Sequence, residues 1–103
     1  MSPLKIALIG YGRMGHEIER VAQKRGHQII LTIDKDNRGD LTPEKIGQAD
    51  VAIEFTLPKA AYDNIMATLK AGIPVVSGTT GWLDDFPKVR AYCEQHQGTF
   101  FHA

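Results

Sequence analysis

The stretch Ile6–Gly15, Ile-Ala-Leu-Ile-Gly-Tyr-Gly-Arg-Met-Gly, constrains this chain more than any other: an apolar run ends abruptly in Gly-x-Gly-x-x-Gly. An amphipathic segment follows, and a second apolar run, Gln28–Ile33, closes on Asp34. A strand, a glycine turn, a helix and a second strand ending in an acid make up the βαβ unit that holds a dinucleotide. Each residue type has a physical task there. Gly10 permits the tight turn out of the strand. Gly12 has no Cβ, so the backbone can approach a pyrophosphate, and Gly15 lets the helix pack close to the strands. The first helical turn offers free N–H groups and the positive end of its dipole to phosphate. Asp34 stands where a carboxylate can accept from ribose hydroxyls.

The neighbouring side chains leave alternatives open. Arg13 lies in the loop, either reaching a phosphate or solvated at the helix start. Tyr11 either lines the cleft or covers the loop. The spacing of Asp34 from the glycines favours ribose binding over a plain strand-end cap. An acid there repels a 2′-phosphate, whereas Lys35 and Arg38 can pair with one or remain solvated loop charges. NADH is therefore the expected cofactor, with NADPH tolerated.

Composition bounds the partners. Twelve basic residues balance twelve acidic ones in 103 residues, so no strong field draws in nucleic acid or an anionic membrane. The length suits one domain. No apolar run has the length of a bilayer span, and Met1-Ser2-Pro3-Leu4-Lys5 does not read as a secretory leader. A single Cys93 excludes an internal disulfide, fits a reducing cytoplasm, and reads as a small apolar residue on the inner face of a helix.

Strand and helix patterns alternate along the chain. Leu4–Ile9 reads as the first strand. Residues 13–25 read as a helix with Met14, Ile18, Val21 and Ala22 inward, ended by Gly26. Gln28–Ile33 is the second strand and Lys35–Asp40 a polar turn. Thr42 caps a short helix with Pro43 in its first turn, and Gly47 follows soon. Asp50–Phe55 is the third strand. Pro58 opens a helix with Ala61, Tyr62, Ile65, Met66 and Leu69 inward, ending at Gly72. Ile73–Ser77 is the fourth strand and Gly78–Gly81 a loop. Asp84–His96 is a helix carrying Phe86, Val89, Tyr92 and Cys93 inward, and Thr99–His102 begins a fifth strand. This alternation predicts an α/β, Rossmann-type doubly wound parallel sheet in three αβα layers, with strand order 3-2-1-4-5. The glycine loop, Asp34, the Phe55-Thr56 end and the Gly78–Gly81 loop then emerge at one edge, beside strand one.

The loop Gly78-Thr79-Thr80-Gly81 frames two hydroxyls with two glycines. It can present N–H and hydroxyl groups to an amide or carboxylate, or serve as a turn with Trp82 stapling the next helix. The histidines His16, His27, His96 and His102 show no metal-ligand spacing, and no nucleophile–base grouping is apparent. No metal site and no catalytic residue is expected within this chain. Glu54 closes an apolar strand and receives no chemical assignment.

The motifs together resemble the dihydrodipicolinate reductase family over essentially the whole chain. Gly12-Arg13-Met14-Gly15, Ile53-Glu54-Phe55-Thr56-Leu57-Pro58 and Val75-Val76-Ser77-Gly78-Thr79-Thr80-Gly81-Trp82 carry the resemblance. The tail Phe100-Phe101-His102-Ala103 looks like the lead-in to the family's Ala-x-Asn-Phe-Ser segment. Two features depart from the pattern: the family's glycine loop is often one residue longer, and some members have Glu followed by Arg where Asp34-Lys35 stands. The resemblance implies hydride transfer from NADH or NADPH to a cyclic dihydrodipicolinate-level intermediate, giving tetrahydrodipicolinate for diaminopimelate and lysine synthesis. It carries phosphate contacts onto Arg13 and Met14. It sets Gly78 and Thr80 at the nicotinamide end, bordered by Phe55 and Thr56.

The resemblance also implies a second, substrate-binding domain that builds a homotetramer. None of that domain is in this sequence, so the chain is expected to be a truncated cofactor-binding domain that binds dinucleotide without turnover. Two other readings stay open: the cofactor domain of an aspartate or homoserine dehydrogenase, and a stand-alone nucleotide-sensing or CoA-binding module.

Overall fold

Nine regular elements alternate along the described residues, and the order in which the strands pair decides where a ligand can sit. The fold is a computed structural model describing residues 3–102; Met1, Ser2 and Ala103, and with them part of the leader reading and the end of the tail, lie outside the described residues. In chain order come β1 (Lys5–Ile9), α1 (Arg13–Lys24), β2 (Gln28–Ile33), α2 (Pro43–Ile46), β3 (Val51–Glu54), α3 (Pro58–Lys70), β4 (Val75–Ser77), α4 (Phe86–His96) and β5 (Phe100–His102). Short 3₁₀ turns occupy Lys35–Asp40 and Leu83–Asp85.

All strand pairs are parallel and the order is β2-β1-β3-β4-β5. The doubly wound α/β class stands as expected from the sequence. The expected order 3-2-1-4-5 does not: β3 lies between β1 and β4 instead of outside β2. The connection out of β2 explains this. Its only α-helix is the single turn α2, whose Ile46 shares a buried cluster with Ala7, Ile9, Ile33, Ala49 and Ala52. Alanines at three of these positions let the connection pass close beneath β1. Lys5 N–H then donates to Asp50 Oδ2 at 2.8 Å and Asp50 N–H to the Lys5 carbonyl at 2.7 Å, which starts β3 beside β1.

β1 is apolar because both of its faces are covered. Ile6 and Leu8 pack toward α1, against Ala22 and Ile18. Ala7 and Ile9 face the α2 side. Burying a side chain such as Leu8 contributes roughly 1.5–3 kcal/mol. β4, β5, α3 and α4 share a third cluster with Ile65, Val75, Trp82, Val89 and Phe100.

Helix faces follow the sequence reading with two corrections. In α1 the inward stripe is Gly15, Ile18 and Ala22, whereas Met14 is 52% and Val21 37% exposed. Small residues let α1 lie close to the strands, which leaves the longer side chains on its flanks. α4 begins at Phe86 instead of Asp84, since Leu83–Asp85 winds as a 3₁₀ turn first. α3 buries Ala61, Ile65 and Leu69, with Tyr62 and Met66 half-buried, as its spacing predicts. Cys93 is half-buried in α4, and burial pushes its thiol up. No helix among the described residues is long and apolar enough to cross a membrane.

Candidate functional site

The chain leaves β1 for β2 on one side and returns to β3 on the other, so a crevice opens at the carboxyl ends of β1 and β3. A cleft of about 650 Å³ occupies this position, within the range of small-molecule and cofactor sites. The segment Gly10–Gly15 forms its floor, Asp34, Lys35 and Arg38 one end, and Phe55 and Thr56 the opposite wall.

The three glycines differ in what surrounds them. Gly10 has φ +100°, and a Cβ there would stand 1.7 Å from the Phe55 carbonyl oxygen. Its N–H donates to the Ile33 carbonyl at 2.6 Å, so the turn is wedged between the ends of β2 and β3. A Cβ on Gly15 would stand 2.5 Å from the Gly10 carbonyl oxygen, so α1 packs directly on the turn. Gly12 is the opposite case: it lines the cleft, and a Cβ there would meet nothing within 4 Å. The space above it is the room that a close-approaching phosphate needs. Gly12 is also the N-cap of α1, with no side-chain cap and no acid in the first turn, so the helix end stays positive.

Tyr11 both lines the cleft and braces the loop. Its hydroxyl donates to Glu19 Oε1 at 2.5 Å, and its ring stacks on His16 at 3.9 Å. The hydrogen bond to Glu19, then desolvation, then the Glu19 charge raise its phenol above the ordinary value of 10.0. Arg13 and Met14 line the cleft from the exposed first turn of α1.

Asp34 caps the turn that follows β2 and also lines the cleft. Oδ1 accepts from Lys35 N–H at 2.9 Å, and Asp34 N–H donates to Asn37 Oδ1 at 2.6 Å, a reciprocal cap on the Lys35–Asp40 turn. The same residue faces the cleft at its exposed end. Lys35 and Arg38 stand beside it, and neither forms an ion pair among the described residues.

The Gly78–Gly81 loop stands behind the wall and does not line the cleft. A Cβ on Gly78 would stand 2.0 Å from the Phe55 ring, so ring and loop are in direct contact. Thr79 is 4% exposed with its hydroxyl turned inward, and Thr80 is exposed. Thr79 Oγ1 accepts from Thr56 N–H at 2.8 Å and donates to Glu54 Oε2 at 2.8 Å. Trp82 Nε1 donates to the Thr79 carbonyl at 2.6 Å, and the indole packs edge-on against Phe100 and His102. Trp82 thus staples the loop to α4 and β5.

The sequence reading missed the far wall. Leu57, Ala60 and Asn64 line it at i, i+3 and i+7 from the start of α3, a helical stripe that the spacing could have shown. Asn64 is 4% exposed, and its Oδ1 is buried without a partner, an acceptor that the protein leaves unmet. Among the described residues no group of three His, Cys, Asp or Glu side chains could hold a metal ion.

Residues 4–102 match the family model described as dihydrodipicolinate reductase, N-terminus. The 4-hydroxy-tetrahydrodipicolinate reductase of Christiangramia forsetii is 48% identical over 101 residues, covering 97% of this chain and 41% of that protein. The enzyme of the same name from Bifidobacterium longum subsp. infantis is 38% identical over 84 residues, 80% of this chain and 33% of that protein. The chain therefore spans about two fifths or less of the length of these curated relatives. In fold it is similar to an NAD-binding protein from Listeria innocua, with TM-score 0.74 and 15% identity over 98% of this chain and 35% of that one.

Proposed function

The chain belongs to the dihydrodipicolinate reductase family, matching its N-terminal domain, and on that premise we propose that it is the nicotinamide-dinucleotide-binding domain of a 4-hydroxy-tetrahydrodipicolinate reductase. The observation that carries this reading is Gly12: a position with no side chain, at an uncapped helix N-terminus, open to the cleft with nothing within 4 Å of its missing Cβ. A pyrophosphate fits there and an ordinary residue would fill the space.

The bound cofactor supplies the hydride. The protein's part is to hold and orient it. The N–H groups of the first turn of α1 and the Arg13 guanidinium meet the phosphates. Asp34 accepts from the adenosine ribose. Asn64 Oδ1 offers an acceptor on the α3 side, and Phe55 and Thr56 meet the nicotinamide half. Reduction of the dihydrodipicolinate-level intermediate, the pairing with a substrate-binding domain, assembly into a homotetramer and a cytoplasmic setting are parts of the same proposal. They follow from the family and not from any group in this chain.

Cofactor choice is the finer part. The Asp34 carboxylate disfavours a 2′-phosphate, while unpaired Lys35 and Arg38 accommodate one, so the expected outcome is NADH binding at least as tight as NADPH. Calorimetric titration of the 103-residue chain with both cofactors tests this, with Asp34→Ala beside it. Asp34→Ala should weaken NADH about tenfold, the worth of one charge-assisted hydrogen bond, and move the preference toward NADPH. An unchanged ratio would remove Asp34 from the ribose site, and no binding of either cofactor would overturn the reading as a whole.

A further inference from the structure

Glu54 is the one acidic side chain among the described residues that is fully buried, at 0% exposure, and the cleft as described gives it no task. It ends β3 at the ligand edge of the sheet, opposite Ser77 at the end of β4. Ser77 Oγ donates to its Oε1 at 2.5 Å. Thr79 Oγ1 donates to Oε2 at 2.8 Å, and Thr56 Oγ1 donates to the same oxygen. No cation pairs with it among the described residues. A carboxylate buried this way is costly unless its lone pairs are met, and three hydroxyls meet them.

We propose that Glu54 is a positioning residue of the cleft: through the hydroxyls of Thr56, Ser77 and Thr79 it locks the ends of β3 and β4 together and fixes the wall that receives the nicotinamide half of the dinucleotide. This rests on the dinucleotide reading above. Asp34, Lys35 and Arg38 mark the adenosine end of the cleft and the glycine loop its middle, which leaves Phe55–Leu57 to the other half.

Hydrogen-bond direction links the carboxylate to the wall. As a carboxylate, Glu54 only accepts, so the hydroxyl hydrogens must point at it. The lone pairs of Thr79 Oγ1 are then free to face outward, and one takes the Thr56 N–H at 2.8 Å. That bond joins the β3 loop to the β4 loop across the back of the wall. Phe55, between Glu54 and Thr56, is pressed by the same arrangement against Gly78, where no Cβ could stand. A glutamine of the same size would place an N–H₂ where an acceptor stands. At Oε1 the Ser77 hydroxyl would have to reverse, and at Oε2 those of Thr56 and Thr79 would, so either placement breaks the arrangement in which every hydroxyl hydrogen points at the carboxylate. The side chain therefore controls the wall's position without touching the cleft.

Calorimetry of the 103-residue chain with NADH and with ADP-ribose, which lacks the nicotinamide, separates positioning from plain stability. The wild-type chain should bind NADH several-fold tighter than ADP-ribose. Glu54→Gln should weaken NADH about tenfold, the worth of one or two net hydrogen bonds, and leave ADP-ribose within about twofold. Thr79→Val removes the joining hydroxyl and keeps the carboxylate. It should show the same selective loss, Thr79→Ser should restore NADH binding, and this pair decides the matter if Glu54→Gln does not fold. Equal weakening of both ligands would make Glu54 merely structural and overturn the proposal, as would unchanged NADH affinity or a wild-type chain that does not distinguish the two ligands. A wild-type chain that binds neither would instead overturn the reading of the cleft itself.

Discussion

The two sides of the cleft are built by opposite means. On the β1–β2 side the protein shapes the cleft by subtraction: three glycines remove side chains, and backbone and an uncapped helix end are left facing it. On the β3–β4 side it makes a wall by addition: a buried carboxylate gathers three hydroxyls, an aromatic ring and an indole into one packed arrangement. The first side is specified by what cannot be there. The second is specified by which way each hydrogen points. Steric exclusion tolerates almost no substitution at a few positions, whereas a hydrogen-bond cluster spreads its demands over many side chains, each of moderate weight.

Substitution at the glycines gives the largest effects and separates two kinds. Gly10→Ala puts a methyl group into the Phe55 carbonyl at a positive φ, and the expected loss is about 3 kcal/mol or more in urea unfolding. Gly12→Ala should change stability by no more than about 1 kcal/mol but weaken dinucleotide binding at least about tenfold, since its methyl group enters only the cleft. If the two variants behave alike, the glycine side is not built by exclusion as described. A middle effect is expected on the other side: Gly78→Ala meets a side-chain ring, which can shift where a backbone carbonyl cannot. Its unfolding cost should be about 1–3 kcal/mol, below that of Gly10→Ala.

The smallest effect is electrostatic and belongs to the Lys35–Asp40 turn. Hydrogen bonds from Lys45 and Asn37 to the Asp40 carboxylate, and the Lys45 charge, hold its pKa below the ordinary 3.8. A carboxyl lowered in the folded chain stabilises it at pH above its unfolded value, and that contribution is lost as pH falls through the lowered value. Asp40→Asn should therefore flatten part of the acid loss of stability below about pH 4, with little change at neutral pH because the pair is exposed. A loss at neutral pH as large as that of Gly78→Ala would contradict the ranking.

Legibility followed the same division. The glycine side was readable because its determinants are contiguous: turn, helix and closing acid recur at fixed offsets, and β2 spans the predicted residues. The added side was not. The sequence holds Glu54, Thr56, Ser77 and Thr79, but only the pairing of β3 with β4 brings them together. A polar residue ending an apolar strand was visible, and its partners some two dozen residues away were not. Strand order failed for a related reason. Local patterns define strands, while the passage of the α2 connection beneath β1 depends on Ala7, Ala49 and Ala52 being small at once. Met14 and Val21 fit a helical repeat, but the repeat does not say which flank of α1 the strands leave open.

The place of β3 beside β1 has a consequence for how the chain holds together. β1 with β2, β3 with β4, and β4 with β5 each close a loop of about two dozen residues, whereas Ile6 pairs with Val51 across nearly twice that length. Each doubling of loop length adds about 0.6 kcal/mol of closure entropy, so this seam is the costliest to form. It is also the line across which the two unlike sides of the cleft meet. A dinucleotide that touches both sides is then a clasp on the longest loop, and mass action turns its binding free energy into resistance of that seam to opening.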